Sequence, residues 1–77
     1  MILLVKTKDY RDEEVILETA GKYCHTYSVK SGNMTKDYLD MAMEVSSEKQ
    51  GELIRCLVEI PSVLSASLVS HDGEVTL

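Results

Sequence analysis

A four-stranded α+β sandwich in the order β-α-β-β-α-β is the fold class this sequence predicts, on three observations. Two segments of helical periodicity, residues 10–22 and 47–60, are separated by β-type segments. Leu39, Met41, Met43 and Val45 alternate with Asp40, Ala42 and Glu44, the period of a strand with one buried face. Turn residues at 31–33 divide the chain into two similar β-α-β halves.

Each element follows in order. Ile2 to Lys6 is apolar at both alternate sets of positions, which marks a central strand covered on two sides. Asp9 reads as a helix N-cap, followed by Asp12, Glu13 and Glu14 where carboxylates meet the positive end of the helix dipole. The first helix is expected over residues 10–22. Val15, Ile16, Thr19, Ala20 and Tyr23 fall in one arc of about 140°, with Leu17 beyond its edge. Gly21 reads as a stop near the helix end. Cys24 to Lys30 is a more polar strand, read as an edge, with Tyr27 and Val29 on one face. Ser31 to Asn33 reads as a hairpin turn, because Gly32 and Asn33 tolerate positive φ.

After the alternating third strand, Ser47 and Gln50 form a capping box that opens the second helix, and Pro61 closes it. Leu53, Ile54, Leu57, Val58 and Ile60 share one side of that helix. Val63 to Ser70 is the fourth strand, with Leu64, Ala66 and Leu68 set against Val63, Ser65, Ser67 and Val69. Two right-handed crossovers put both helices on one face of an antiparallel sheet, the ferredoxin-like arrangement, and leave the other face bare. Apolar residues still point there, so a cover is expected. The candidate interface is Ile2, Leu4, Tyr38, Ala42, Val63 and Val69, with a second copy of the chain or an adjoining domain as the cover. Tyr38 is expected to be exposed.

Size and charge bound the function. A chain of 77 residues is one small domain, which buries only about 60% of its unfolded surface. The net charge of −5 and the absence of a basic run give no grip on phosphate backbones. With no Phe or Trp and scattered tyrosines, base stacking on a sheet has no support either, so nucleic acid is not an expected partner. No apolar run approaches the roughly 20 residues of a membrane-spanning helix, and no signal-peptide pattern is present. Cys24 and Cys56 lie far apart in sequence and form no C-x-x-C pair, so they read as reduced, partly buried thiols in a cytosolic protein.

The loop after the first strand, "VKTKDYR", is where this fold commonly binds ligands. It has no cysteine or histidine to hold a soft metal. Arg11 is placed as a phosphate-binding enzyme of the acylphosphatase type would place it, but no glycine precedes it to bring backbone amides close. Thr7, Lys8, Asp9 and Arg11 remain the candidate ligand loop. No catalytic residue, metal site or cofactor is expected. His25 and His71 read as solvated strand-end residues. Asp37 and Asp40 point to opposite faces by strand parity, and Asp40 and Glu44 stand about 13 Å apart, too far for paired acid–base work. Met41 and Met43 read as core filling. The terminal "SHDGEVTL" groups His71, Asp72 and Glu74 around an Asp-Gly turn with no distant ligand to complete a metal shell.

The stretch "DYLDMAMEVSSEKQGELIRCLVEIPSVLSASLVSHDGEV" resembles the ACT-like C-terminal cytoplasmic domains of bacterial membrane proteins. Two groups share the pattern: MgtC-type proteins and uncharacterised proteins that accompany polyphosphate polymerases. The matching features are "KSG" before the third strand, the alternating third strand, a Leu-rich second helix, "P-x-V" before the fourth strand and a terminal "S-x-D-G". The resemblance implies a non-enzymatic regulatory or interaction domain on the cytoplasmic side, and no catalytic residue carries over. The chain also begins in strand without lead-in residues, so it reads equally as a complete chain or as a fragment of a longer protein, which the resemblance implies is a C-terminal piece of a membrane protein. The alternatives are a free-standing, ligand-binding cytosolic ACT-like protein and, less favoured, an acylphosphatase-like enzyme.

Overall fold

The computed structural model describes residues 1–70. Strands β1 (Ile2–Thr7), β2 (Thr26–Met34), β3 (Leu39–Ser46) and β4 (Val63–Val69) form one antiparallel sheet in the order β2-β3-β1-β4. Helices α1 (Glu13–Tyr23) and α2 (Gln50–Val58) connect β1 to β2 and β3 to β4. The arrangement is ferredoxin-like, with β1 and β3 central. No helix among the described residues is long and apolar enough to cross a membrane.

One core lies between the sheet and the helices. On β1 the inward residues are Leu3, Val5 and Thr7, facing Met43, Met41 and Leu39 across the β1–β3 ladder. Ile16 and Ala20 of α1 and Leu53, Ile54 and Leu57 of α2 close over them. The alternation of β3 is realised in full: Leu39, Met41, Met43 and Val45 are all buried. Each such side chain removed from water contributes roughly 1.5–3 kcal/mol.

Four local features differ from the sequence expectation. First, Ser31, Gly32 and Asn33 are not a turn. β2 runs through them to Met34, Gly32 lies opposite Met41, and no left-handed conformation occurs at that glycine. The chain reverses over residues 35–38, where Thr35 Oγ1 accepts from the backbone N–H groups of Asp37 and Tyr38. A side-chain hydroxyl that satisfies two turn amides does the work assigned to glycine. An extra residue in β2, Lys30, shifts the register between Val29 and Ser31.

Second, the parity of β4 changes at its start. Thr7 pairs with Val63 and Lys6 with Ser65, so Leu64 is an unpaired bulge residue. The bulge turns Val63 into the core and pushes Leu64 out to 55% exposure. Val63 therefore leaves the candidate interface, while Ala66 and Leu68 face inward as expected. Third, α1 is rotated relative to the expected arc: Leu17 packs against the core and Val15 is exposed. Gly21 explains the direction, since it lies one turn beyond Leu17 on that flank. A Cβ there would stand 3.1 Å from Tyr27 Oη, so glycine lets the Tyr27 ring of β2 approach the helix. The glycine serves that approach rather than ending the helix, which continues to Tyr23.

Fourth, both helix starts are longer in sequence than in structure. Asp9 does cap, but the turn it caps is a 3-10 turn at Tyr10–Asp12 ahead of α1. Ser47 lies three residues before α2. Its hydroxyl donates to the Tyr23 carbonyl and accepts from the Lys49 amide, tying the end of α1 to the start of α2. Gln50 Nε2 reaches the Ser47 carbonyl at 3.3 Å.

Candidate functional site

The helix-free face of the sheet is the principal surface feature. Its rows follow from strand parity: Ile2, Leu4 and Lys6 on β1 lie directly opposite Glu44, Ala42 and Asp40 on β3. On the other side of β1 they face Val69, Ser67 and Ser65 of β4. Leu4 is thus a large apolar side chain between two small ones, Ala42 and Ser67, and it is 41% exposed. A shallow depression of about 450 Å³ runs over this face and extends to Ser31 and Asn33 of β2. Ile2, Ala42 and Val69 are half-buried.

The charges on this face are sparse and placed. Lys6 Nζ sits 4.7 Å above the Tyr38 ring, a cation–π contact. Tyr38 is half-buried beside it, which corrects the expectation of an exposed side chain. Asp40 is half-buried and forms no ion pair among the described residues. At the other end, Glu44 Oε2 lies 3.3 Å from the Met1 amine, which also donates to the Val45 carbonyl at 3.2 Å.

The candidate ligand loop is built differently: its polar groups bond to one another. Thr7 is fully buried, and its hydroxyl proton has two acceptors in range, Asp12 Oδ2 at 2.6 Å and the Ser62 carbonyl at 3.0 Å. The carboxylate is closer and charged, so it takes the proton. Ser62 Oγ donates to the same Asp12 oxygen, and the Lys8 amide donates to the Ser62 carbonyl at 2.9 Å. Asp12 thereby joins β1 to the loop that leads into β4. Asp9 accepts from the Arg11 amide and from Arg11 Nε and Nη2, each at 2.9 Å. The Arg11 guanidinium holds the Asp9 carboxyl below its ordinary range, and Asp9 in turn raises Arg11. Of the four candidates, only Lys8 is exposed without a side-chain bond to the others. Thr7 is not presented to a ligand, whereas Arg11 is largely exposed, with its Nε and Nη2 engaged by Asp9.

The remaining reactive types are dispersed. His25 Nε2 is 3.9 Å from Glu48 Oε1, both exposed. Cys24 and Cys56 are half-buried free thiols. Cys56 Sγ and Tyr23 Oη lie 3.2 Å apart, and a phenol O–H held by the sulfur is the main cause raising the Tyr23 phenol. Burial raises the Cys24 thiol, against a hydrogen bond with Ser47. Among the described residues no group of three or more His, Cys, Asp or Glu side chains is placed to hold a metal ion. His71, Asp72 and Glu74 of the terminal stretch lie outside the described residues. No protein-family model, curated protein or solved structure matches this chain.

Sequence reasoning picked out Ile2, Leu4, Ala42 and Val69 on the open face but missed Lys6, although parity with Leu4 places it there. It also missed the Asp12–Ser62 pair. Those residues are 50 apart in the chain, and no local pattern links them.

Proposed function

We propose that this chain is a non-enzymatic interaction module of the ACT-like kind that works by burying its open sheet face against another protein surface. On the resemblance of its sequence, that setting is the cytoplasmic regulatory domain of a bacterial membrane protein. Leu4 carries the reading. It stands exposed at the centre of a sheet face, where completing its burial contributes roughly 1 kcal/mol, and its cross-strand neighbours Ala42 and Ser67 are too small to cover it. A small molecule fits this face less well, because ligand pockets enclose most of their ligand and this depression lies along the surface of a sheet. In the candidate ligand loop Thr7 is buried and Asp9 holds the Arg11 guanidinium, which weighs against the phosphate-binding and amino-acid-binding alternatives.

The test is a photo-reactive residue introduced at Leu4 in the cells that produce the protein, with the same residue at Val58 as control. The two sites are matched in exposure, 41% and 48%, on opposite layers of the molecule. Protein adducts at Leu4 well above those at Val58, identified by mass spectrometry, are the expected result. Equal adduct yields overturn the reading. Inorganic phosphate, amino acids and divalent cations are each expected to leave the thermal midpoint unchanged, and a saturable rise with one of them would replace this function with ligand binding.

A further inference from the structure

We infer that the occupant of the open face is a second copy of this chain, stacked face to face about a two-fold axis running along the strands between β1 and β3. This rests on the interaction reading above. The β1 row of Ile2, Leu4 and Lys6 lies opposite the β3 row of Glu44, Ala42 and Asp40. An axis parallel to the strands and midway between β1 and β3 exchanges the two rows. Lys6 of each copy then lies over Asp40 of the partner subunit, Leu4 over the partner's Ala42, and Ile2 over the partner's Glu44, a carboxylate that already has an ammonium group beside it in its own chain. Opposite charge meets opposite charge and large meets small, each twice, as an isologous interface requires. One strand farther out, Ser67 of β4 falls over the partner's Ser31, since these residues are the outer neighbours of Leu4 and Ala42.

Other axes fail on the same residues. An axis along β1 puts Lys6 on Lys6. An axis across the strands through Leu4 puts Glu44 over the partner's Asp40. The charges are also poised for the favoured axis: Lys6 is held over Tyr38, and Asp40 has no ion pair among the described residues. Aligned sheets cross at about 30°, which at roughly 7 Å from the centre displaces facing groups by about 4 Å, within the reach of a lysine. The face measures about 19 by 20 Å, so two copies bury roughly 800 Å², the size of a weak and reversible interface. The pair is therefore expected to form in the micromolar to millimolar range.

The test uses two charge reversals in the full chain, measured by sedimentation equilibrium. Lys6→Glu sets two carboxylates together at both symmetric contacts, and Asp40→Lys sets two ammonium groups together. Each alone is expected to weaken dimerisation by about tenfold or more. An equimolar mixture restores opposite charges at both contacts of the mixed pair, so dimerisation is expected to return to within about threefold of the natural chain. Each chain keeps its own substitution in the mixture, so repair within a subunit cannot produce that return. A mixture that stays monomeric while the natural chain dimerises overturns the axis. A natural chain still monomeric at about 1 mM overturns the second copy as occupant. In that case Leu4 adducts to a different protein leave the interaction reading standing, and adducts no greater than at Val58 remove both.

Discussion

Leu3 and Leu4 are the same residue type at adjacent positions of β1, and the sheet separates them completely. Leu3 is fully buried beneath the helices, whereas Leu4 is 41% exposed between Ala42 and Ser67. The polar groups divide the same way. On the helix side Thr7, Asp12 and Ser62 bond to one another, while on the open side Lys6 and Asp40 face outward as an unjoined pair. The groups on the helix side satisfy each other inside the chain, whereas Lys6 and Asp40 are cross-strand neighbours on the open side without an ion pair between them. Both kinds occur within three residues of Leu4.

The contrast can be broken most directly at the two leucines. Leu3→Ala is expected to cost about 3 kcal/mol, because it leaves a cavity in a closed core, and Leu4→Ala under about 1 kcal/mol in dilute monomer. Urea denaturation of both variants measures the pair, and equal losses would mean that the two faces are equivalent. The next effect is at the loop. Asp12→Ala leaves the Thr7 and Ser62 hydroxyls without their acceptor and is expected to cost about 2 kcal/mol, with Thr7→Val near 1 kcal/mol. Lys6→Ala and Asp40→Ala on the open face should stay within about 0.5 kcal/mol by the same measurement.

The smallest effect is in acid. The Asp9 carboxyl is held below its ordinary value of 3.8 by hydrogen bonds with Arg11. A lowered carboxyl stabilises the fold above the unfolded value, and that contribution is lost as pH falls through the lower folded value. Urea midpoints at pH 7 and 5 should therefore not differ on account of this pair, and a loss should begin only below about pH 4. Arg11 is largely solvent-exposed and Asp9 partly so, so the loss is slight. Arg11→Ala should remove it, and an unchanged acid limb in that variant would show that Asp9 is not its source.

The element order was legible because periodicity is a local property. The β3 alternation and the apolar run Ile2–Val5 of β1 marked which strands are central. The departures each depend on something distant or on backbone irregularity. Val63 and Leu64 exchanged sides through a bulge that strand parity does not anticipate. Gly32 sits in a strand because Thr35, not glycine, closes the hairpin. Leu17 packs against the core and Tyr27 lies over Gly21 of α1, contacts between different elements. At the candidate site, parity alone located Leu4 and Ala42, but the engagement of the ligand loop required knowing that Ser62 returns beside Asp12.

The two bulges bear on how large an assembly this chain can build. Both edges of the sheet are irregular, β2 at Lys30 and β4 at Leu64. An unbroken edge would invite β2 of one molecule onto β4 of the next, a head-to-tail contact with no end point that grows into fibres. The extra residues and the lysine interrupt that ladder at each rim. Stacking through the open face hides the exposed surface of both partners at once and leaves none for a third. On the face-to-face pairing proposed above, guarded rims give an association that terminates at two.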